Sequence, residues 1–197
     1  MAVMTSDLLS RLQAHVRWAG SVGREGVQLV AADLDLAQAD LAGMDLNGVE
    51  IPGSNLRDAT LAGVDFARAS LASAILEGAD LSNAVCPKAK FDHANLRNTK
   101  FRAANLIRAT FFEADLRGAD LGEADLRGAD FEDADLSGAD LRGASLERTD
   151  FRGARLDGVR FDQSQMSVAR LDEQQALVVV VDQTARGPDV ATQPSSW

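Results

Sequence analysis

Residues 114–145 read ADLRG ADLGE ADLRG ADFED ADLSG ADLRG AS, in which a five-residue unit repeats six times without a break. Each unit carries Ala, Asp and then Leu or Phe, followed by two residues that are mostly small or charged. Internal periodicity of this strictness outranks single-residue propensity as evidence for a fold. The chain is therefore predicted to be a solenoid built from short repeats.

The same frame extends far beyond that stretch. Its central apolar residue recurs every five residues from Leu36 to Leu171, which gives 28 units, with Leu at the centre of eighteen and Phe at the centre of seven. Two apolar positions flank one polar position, which is the alternation of an extended strand. Gly fills the second of the two remaining positions in eleven units and predicts a turn there. A helix is excluded, because centres five residues apart would scatter around a helical wheel.

Residues 1–30 lack the repeat. Leu8, Leu12 and Val16 recur at four-residue spacing after a Ser-Asp pair of capping residues, which predicts one amphipathic helix of about three turns. An uncovered solenoid end would expose apolar side chains and unpaired strand edges. The N-terminal segment is therefore interpreted as a helix and loop that cap the first coil.

With its A(D/N)LXX units, the sequence resembles the pentapeptide-repeat family over residues 31–173. The resemblance implies an all-β solenoid, namely a right-handed quadrilateral β-helix with four units in each coil and about seven coils in all. Positions 20 apart in the sequence should then stack on one another. Stacking at that interval predicts an aromatic ladder inside one wall, formed by Phe91, Phe111, Phe131 and Phe151.

The segment after Leu171 reads DEQQALVVVVDQ and leaves helix and strand both open, because consecutive valines favour a strand whereas the leading Asp favours a helix cap. LDEQQALVVV resembles the closing helix of quinolone-resistance pentapeptide proteins. That resemblance implies a short capping and dimerisation helix at 174–186, and a homodimer joined end to end through Leu177, Val178, Val180 and Val181. Residues 187–197 are predicted to be a disordered tail.

No catalytic, metal or cofactor site is predicted. His15 in the helix and His93 at an outward turn position are both interpreted as solvent-exposed, and Cys86 at an inward centre as a small core hydrophobe. Many of the aspartates recur at one outward position of the repeat, which indicates a ladder rather than a pair of catalytic carboxylates. The protein is therefore predicted not to be an enzyme.

The charge pattern is the most informative guide to a partner. A net charge of −10 disfavours direct binding of nucleic acid and favours a basic partner. Sorted by wall, the units carry −6 on the wall of the predicted aromatic ladder, against −2, −2 and +1 on the others. Along the chain, a belt of +5 at 84–109 separates bands of −7 at 31–83 and −8 at 110–140. The basic belt consists of Lys88, Lys90, Arg97, Lys100, Arg102 and Arg108.

Two functions remain open from the sequence. Resemblance to members that protect topoisomerases implies a DNA mimic that binds DNA gyrase or topoisomerase IV and protects it from poisons. The candidate acidic face for that contact comprises Glu113, Asp130, Glu132, Asp133 and Asp150. The alternative is a rigid scaffold or protein-interaction module, because a uniform DNA mimic should not carry a basic belt. The sequence shows no signal-peptide pattern or membrane span, and with its single cysteine it is predicted to be cytoplasmic.

Overall fold

The computed structural model describes residues 6–162, 169–171 and 180–181. Helix α1 spans Ser6–Gly20, and two short strands follow much later, β1 at Arg160–Phe161 and β2 at Val180–Val181. Between α1 and β1 the chain winds as a solenoid whose rungs are single parallel β-bridges. Within the described part of the chain, no helix is both long enough and apolar enough to cross a membrane.

The coil repeats every 20 residues. Each isolated bridge joins residues 20 apart, from Val30 with Glu50 to Asp150 with Arg170. In a typical rung the amide of Leu36 donates to the carbonyl of Asn55 at 2.7 Å, and the amide of Asn55 donates to the carbonyl of Leu34 at 2.8 Å. Four five-residue units therefore form one coil, which confirms the predicted four-walled arrangement over the residues that these bridges join.

We number the walls by their inward centres. Wall 1 carries Ile51 and every twentieth residue after it, and walls 2, 3 and 4 begin in the same coil at Leu56, Leu61 and Phe66. The centres from Leu36 to Phe161 are at most 2% exposed. The predicted aromatic ladder is confirmed in wall 1, where ring centroids are 5.2 Å apart for Phe91 and Phe111, 4.5 Å for Phe111 and Phe131, and 5.2 Å for Phe131 and Phe151.

The turns between walls share one geometry. In each unit, the amide two residues before the next centre donates back to the previous centre, as Ala39 does to Leu36 at 3.1 Å. The residue just before that amide has a positive φ in all units from Asp33 to Gly158, 15 of which have a non-glycine residue there. The predicted turn position is therefore confirmed, but glycine is optional at it, because every side chain at this corner points into solvent or over the neighbouring coil.

Helix α1 caps the first coil, as predicted. Leu8 and Leu12 are buried against the coil core. His15 is also fully buried, so its interpretation as solvent-exposed is wrong. The amide of Leu29 donates to Nδ1 of His15 at 2.9 Å, and the ring stacks on Trp18 with centroids 5.4 Å apart. The side chain thus joins the helix to the strand that enters the coil.

The C-terminal strand corrects one prediction. Val180 and Val181 pair in parallel with Arg160 and Phe161, so the helix proposed for 174–186 is wrong at these two residues. The pairing keeps the 20-residue interval of the coil, and β-branched valines suit an extended rung. The rest of that segment and the tail at 187–197 lie outside the described residues.

Candidate partner-binding surface

An aspartate at the outward position of a unit has a local structural role. In many units its Oδ1 accepts a hydrogen bond from the amide two residues later, as from Ala67 to Asp65 at 2.8 Å and from Glu132 to Asp130 at 3.0 Å. This Asx-type bond satisfies an amide at the start of the turn. The aspartate ladder therefore stabilises the coil, and its abundance alone says little about a partner.

A second contact neutralises many of these aspartates. In ADLRG units the Arg lies two residues after the Asp on the same outer side, and its guanidinium binds the carboxylate through two nitrogens. Distances in the unit of Asp125 and Arg127 are 2.8 and 2.6 Å, and those in the unit of Asp150 and Arg152 are 2.9 and 2.8 Å. The Arg hydrogen bond holds the pKa of Asp125 and Asp150 below the ordinary range. Such units present a dipole rather than a net charge.

Pairing between coils removes more of the acidity of residues 110–140. Arg97 binds Asp115 at 2.6 Å, and Arg102 binds Glu123 at 2.5 Å. Arg155 contacts Asp135 at 3.4 Å. The summed charge of −8 for this band therefore overstates the field that a partner would meet, because most of its carboxylates face a guanidinium.

Three carboxylates of the predicted acidic face remain outside this pairing. Asp130, Glu132 and Asp133 make no ion pair within 4.0 Å with any described residue, and they lie in a single unit of wall 1, centred on Phe131. Asp133 is exposed, and the other two are half-buried. Arg152 lies close enough for its pKa to be raised slightly by Glu132 and Asp130, although the raising comes mainly from Asp150. We call these three residues the acidic triad.

The other two predicted members of the acidic face differ from the triad. Asp150 is 8% exposed and is neutralised by Arg152 at 2.8 Å, with Arg170 at 3.9 Å. Glu113 is exposed and contacts Nδ1 of His93 at 3.2 Å. The structure therefore brings the five residues to neighbouring coils of wall 1, but only the triad carboxylates have neither an arginine nor a histidine contact among the described residues.

Pairing occupies two of the six residues of the predicted basic belt, whereas Lys88, Lys90, Lys100 and Arg108 make no ion pair with a described carboxylate. Arg97 and Arg102 are occupied by the carboxylates already described. Lys88 and Arg108 lie one coil apart at the corner between walls 4 and 1, and no described carboxylate lies within ion-pair distance of either. Sequence charge sums did not distinguish these two kinds of cation. We call the residue two after each inward centre, which has the positive φ, the third turn position. Sorting these residues at intervals of 20 would have placed Lys88 and Arg108 in one column.

Burial shifts the pKa of two side chains outside the charged surface groups. The thiol of Cys86 is fully buried, and desolvation raises its pKa well above the ordinary range, which agrees with its interpretation as a core residue. Burial lowers the pKa of His15, although the carbonyl of Leu46 opposes the shift. Among the described residues, no cluster of three or more His, Cys, Asp or Glu side chains could hold a metal ion.

Sequence-family models match most of the solenoid. A model described as a pentapeptide repeat region matches residues 86–161, and another described as pentapeptide repeats (8 copies) matches residues 28–66 and 53–85. No curated protein matches the sequence significantly.

The comparison with solved structures bears on the fold alone. QnrB1, a plasmid-mediated fluoroquinolone resistance protein, is 23% identical over 74% of this chain and 79% of its own, with a TM-score of 0.53. HetL, a pentapeptide-repeat protein involved in regulating heterocyst differentiation in Nostoc sp. strain PCC 7120, is 27% identical over 73% and 77%, with a TM-score of 0.46. A pentapeptide-repeat protein of the Arabidopsis thaliana thylakoid lumen is 37% identical over 51% and 70%, with a TM-score of 0.34.

Proposed function

Because this chain belongs to the pentapeptide-repeat family, we propose that it is a non-enzymatic, cytoplasmic binding protein whose acidic triad docks on a basic protein surface. One observation carries this proposal: Asp130, Glu132 and Asp133 are unshared carboxylates in a band where most others are paired. A rigid array of like charges attracts a complementary partner and steers its approach. The coil behind the triad is held by the stacked rings of wall 1, so docking requires little reorganisation.

The most specific candidate for the partner is DNA gyrase or topoisomerase IV. The fluoroquinolone resistance ascribed to QnrB1 supports this choice. In the proposed mechanism, the rod occupies the basic saddle of the topoisomerase in place of DNA. A poison that acts on the DNA-bound enzyme then has no complex to act on. The extensive Asp–Arg pairing counts against a uniform mimic of the DNA backbone, so we assign the contact to the triad rather than to the whole surface.

Gyrase supercoiling with and without a quinolone tests this candidate. We expect micromolar protein either to inhibit supercoiling or to restore it in the presence of the drug. The variant with Asp130→Asn, Glu132→Gln and Asp133→Asn should lose the effect at least tenfold, while keeping the hydrogen-bond acceptors of the wall. A matched control carries Asp35→Asn, Asp40→Asn and Asp45→Asn, which remove the same charge from the first coil.

Three outcomes discriminate among the readings. No effect of the wild-type protein on either enzyme would remove topoisomerase as the partner. Equal loss in the triad variant and the control would mean that net charge, not the triad, is responsible. Unchanged activity in the triad variant would show that a different face makes the contact. A scaffold role for the rod is favoured by the first outcome, since the family fold needs no enzyme partner to be useful as a rigid support.

We also propose that the protein forms a homodimer through its C-terminal end, with contacts from Leu177, Val178, Val180 and Val181. Support comes from the sequence, because a run of apolar β-branched residues exposed in solution would be an aggregation hazard. Light scattering of Val178→Asp and Val180→Asp variants tests it, with monomers as the expected result. Dimers that persist in both variants would place the interface elsewhere.

A further inference from the structure

The arginines of the coils divide into two groups. Among the described residues from 31 to 162, all arginines but three have a carboxylate oxygen within 4.0 Å. The exceptions are Arg68, Arg108 and Arg148, and all three occupy the third turn position at the corner between walls 4 and 1. Lys88, which also lacks a described carboxylate, fills the same column between Arg68 and Arg108.

The column runs along the axis of the rod. Adjacent coils are separated by about 4.8 Å, so Lys88 and Arg108 lie about 5 Å apart in height and Arg108 and Arg148 about 10 Å apart. Gly128 occupies the column between the last two, and the Cγ atom of Arg108 lies over it, 3.5 Å from where a Cβ would stand. The Arg108 side chain therefore extends over Gly128 in the direction of Arg148.

A groove of about 670 Å³ follows this column on wall 4. Its lining combines the cations with the apolar side chains of Pro87 and Ile107. Val85 lies on the same wall two residues before Pro87 and is 39% exposed; the other large apolar side chains of comparable exposure among the described residues all precede residue 31. The groove is thus an aliphatic strip bordered by positive charge.

Two acidic groups, Asp125 and Glu147, lie near the groove. Arg127 lines the groove, but its guanidinium is bound to Asp125 at 2.6 Å and is also influenced by Glu147. Glu147 lines the groove as well. Against these, Lys88, Arg108 and Arg148 leave an excess of positive charge in a protein whose net charge is −10. Uncompensated cations gathered at one corner of an acidic rod indicate a ligand that supplies the counter-charge.

We propose that this groove binds an acidic peptide segment of a partner protein that carries aliphatic side chains among its carboxylates. The apolar lining favours such a peptide over nucleic acid, because Pro87 and Ile107 offer no aromatic ring on which bases could stack. The overall negative charge of the rod also repels a long polyanion more than a segment with a few carboxylates. Small interfaces of this kind take their specificity from an apolar centre and a charged rim.

Fluorescence anisotropy of the full chain with a labelled peptide tests the proposal. The probe is a fluorescein-labelled twelve-residue peptide with four aspartates and two leucines among glycine and serine. Companion probes replace the aspartates by asparagine, replace the leucines by serine, or substitute a labelled twelve-nucleotide oligothymidylate. We expect saturable binding of the first probe and at least tenfold weaker binding of the other three.

Two double variants locate the contact. Arg108→Gln with Arg148→Gln should weaken binding of the peptide at least tenfold. Arg97→Gln with Arg117→Gln removes the same charge from wall 2, where both arginines bind Asp115, and should change binding less than twofold. Ile107→Ser should weaken the leucine-containing peptide and leave the serine-containing peptide unaffected.

Several results would overturn the proposal. The first is absence of saturable peptide binding at 1 mM. A second is an equal loss of peptide affinity in both double variants, which would mean that the net charge of the rod, and not the groove, attracts the peptide. A third is oligothymidylate binding as tightly as the peptide with the same dependence on Arg108 and Arg148, which would make the groove a nucleic-acid site. The acidic-triad variant should bind the peptide normally, so this test stands apart from that of the proposed function.

Discussion

The aromatic ladder of wall 1 leads to a quantitative prediction about how neighbouring coils stabilise each other. Phe111 and Phe131 are fully buried, with ring centroids 4.5 Å apart and planes inclined by 4°. Aromatic pairs contribute about 0.5–1.5 kcal/mol beyond the area that they bury. Replacement of either ring by Leu keeps most of the apolar volume, which by itself costs less than about 1.5 kcal/mol. Each single substitution removes the ring–ring interaction, so the sum of the two single effects counts its loss twice. The double variant loses that interaction only once.

We therefore expect the double variant Phe111→Leu with Phe131→Leu to be more stable than the sum of the single effects predicts, by about 0.5–1.5 kcal/mol. Urea denaturation followed by far-ultraviolet circular dichroism measures the four free energies of unfolding. Equal m-values across the four proteins would confirm that the same transition is being compared.

Phe66 provides the control for this cycle. It is equally buried but lies in wall 4 more than three coils away, and no ring contact joins it to Phe131. Phe66→Leu and Phe131→Leu should be additive within about 0.5 kcal/mol. A coupling between Phe111 and Phe131 no larger than this control would refute the argument that stacked rings, rather than burial alone, tie adjacent coils together.

Three further predictions concern the cap and the core. Burial lowers the pKa of His15 from 6.5, so below that pH the unfolded chain binds a proton that the folded chain does not. The free energy of unfolding should therefore be constant above about pH 6.5 and fall below it. In His15→Asn, the urea midpoint should change less between pH 7.5 and 5.5 than it does in the wild type. Gly26→Ala should detach the cap and cost more than about 2 kcal/mol, since φ is 80° and the new Cβ would lie 2.8 Å from the amide nitrogen of Trp18. Gly43→Ala, with φ 66° and open space, should cost about 1 kcal/mol or less by thermal unfolding, because the left-handed strain of Ala is partly offset by the freer unfolded state of Gly. Cys86 should react with a thiol reagent only after denaturation, because its thiol is buried with a raised pKa, and rapid labelling of the native protein would contradict that burial.

The regular part of the fold was accessible from the sequence for a physical reason. Every coil makes the same main-chain hydrogen bonds, so the five-residue unit repeats wherever those bonds repeat, and the 20-residue interval by itself predicts that Phe111 stacks on Phe131. The valines at the C-terminus have no such repeat. Their pairing with β1 depends on an available strand edge, which a short apolar run does not reveal.

The candidate site was only partly accessible. Charges summed over a band treat Asp125 and Arg127 as independent, although the turn after Leu126 returns Arg127 to the outer side, where it neutralises Asp125. That pairing could have been inferred from the ADLRG unit itself. The burial of His15 could also have been inferred, because residues 8, 12 and 15 share one face of a helix. Its hydrogen bond with the amide of Leu29 could not, because the position of Leu29 depends on the loop through Gly26.

The third turn position provides a regular array of exposed side chains along the rod. A side chain there adopts a left-handed conformation at a cost of about 1–2 kcal/mol, while glycine at the same place loses about 0.5–1 kcal/mol through its freer unfolded state. The two penalties are similar, so a corner can exchange glycine for arginine or glutamate with little change in folding free energy. Corners recur at each of four edges with an axial step of about 4.8 Å. The charge and polarity of the partner-facing surface can therefore change by substitution at single corners, while the coil keeps the same fold.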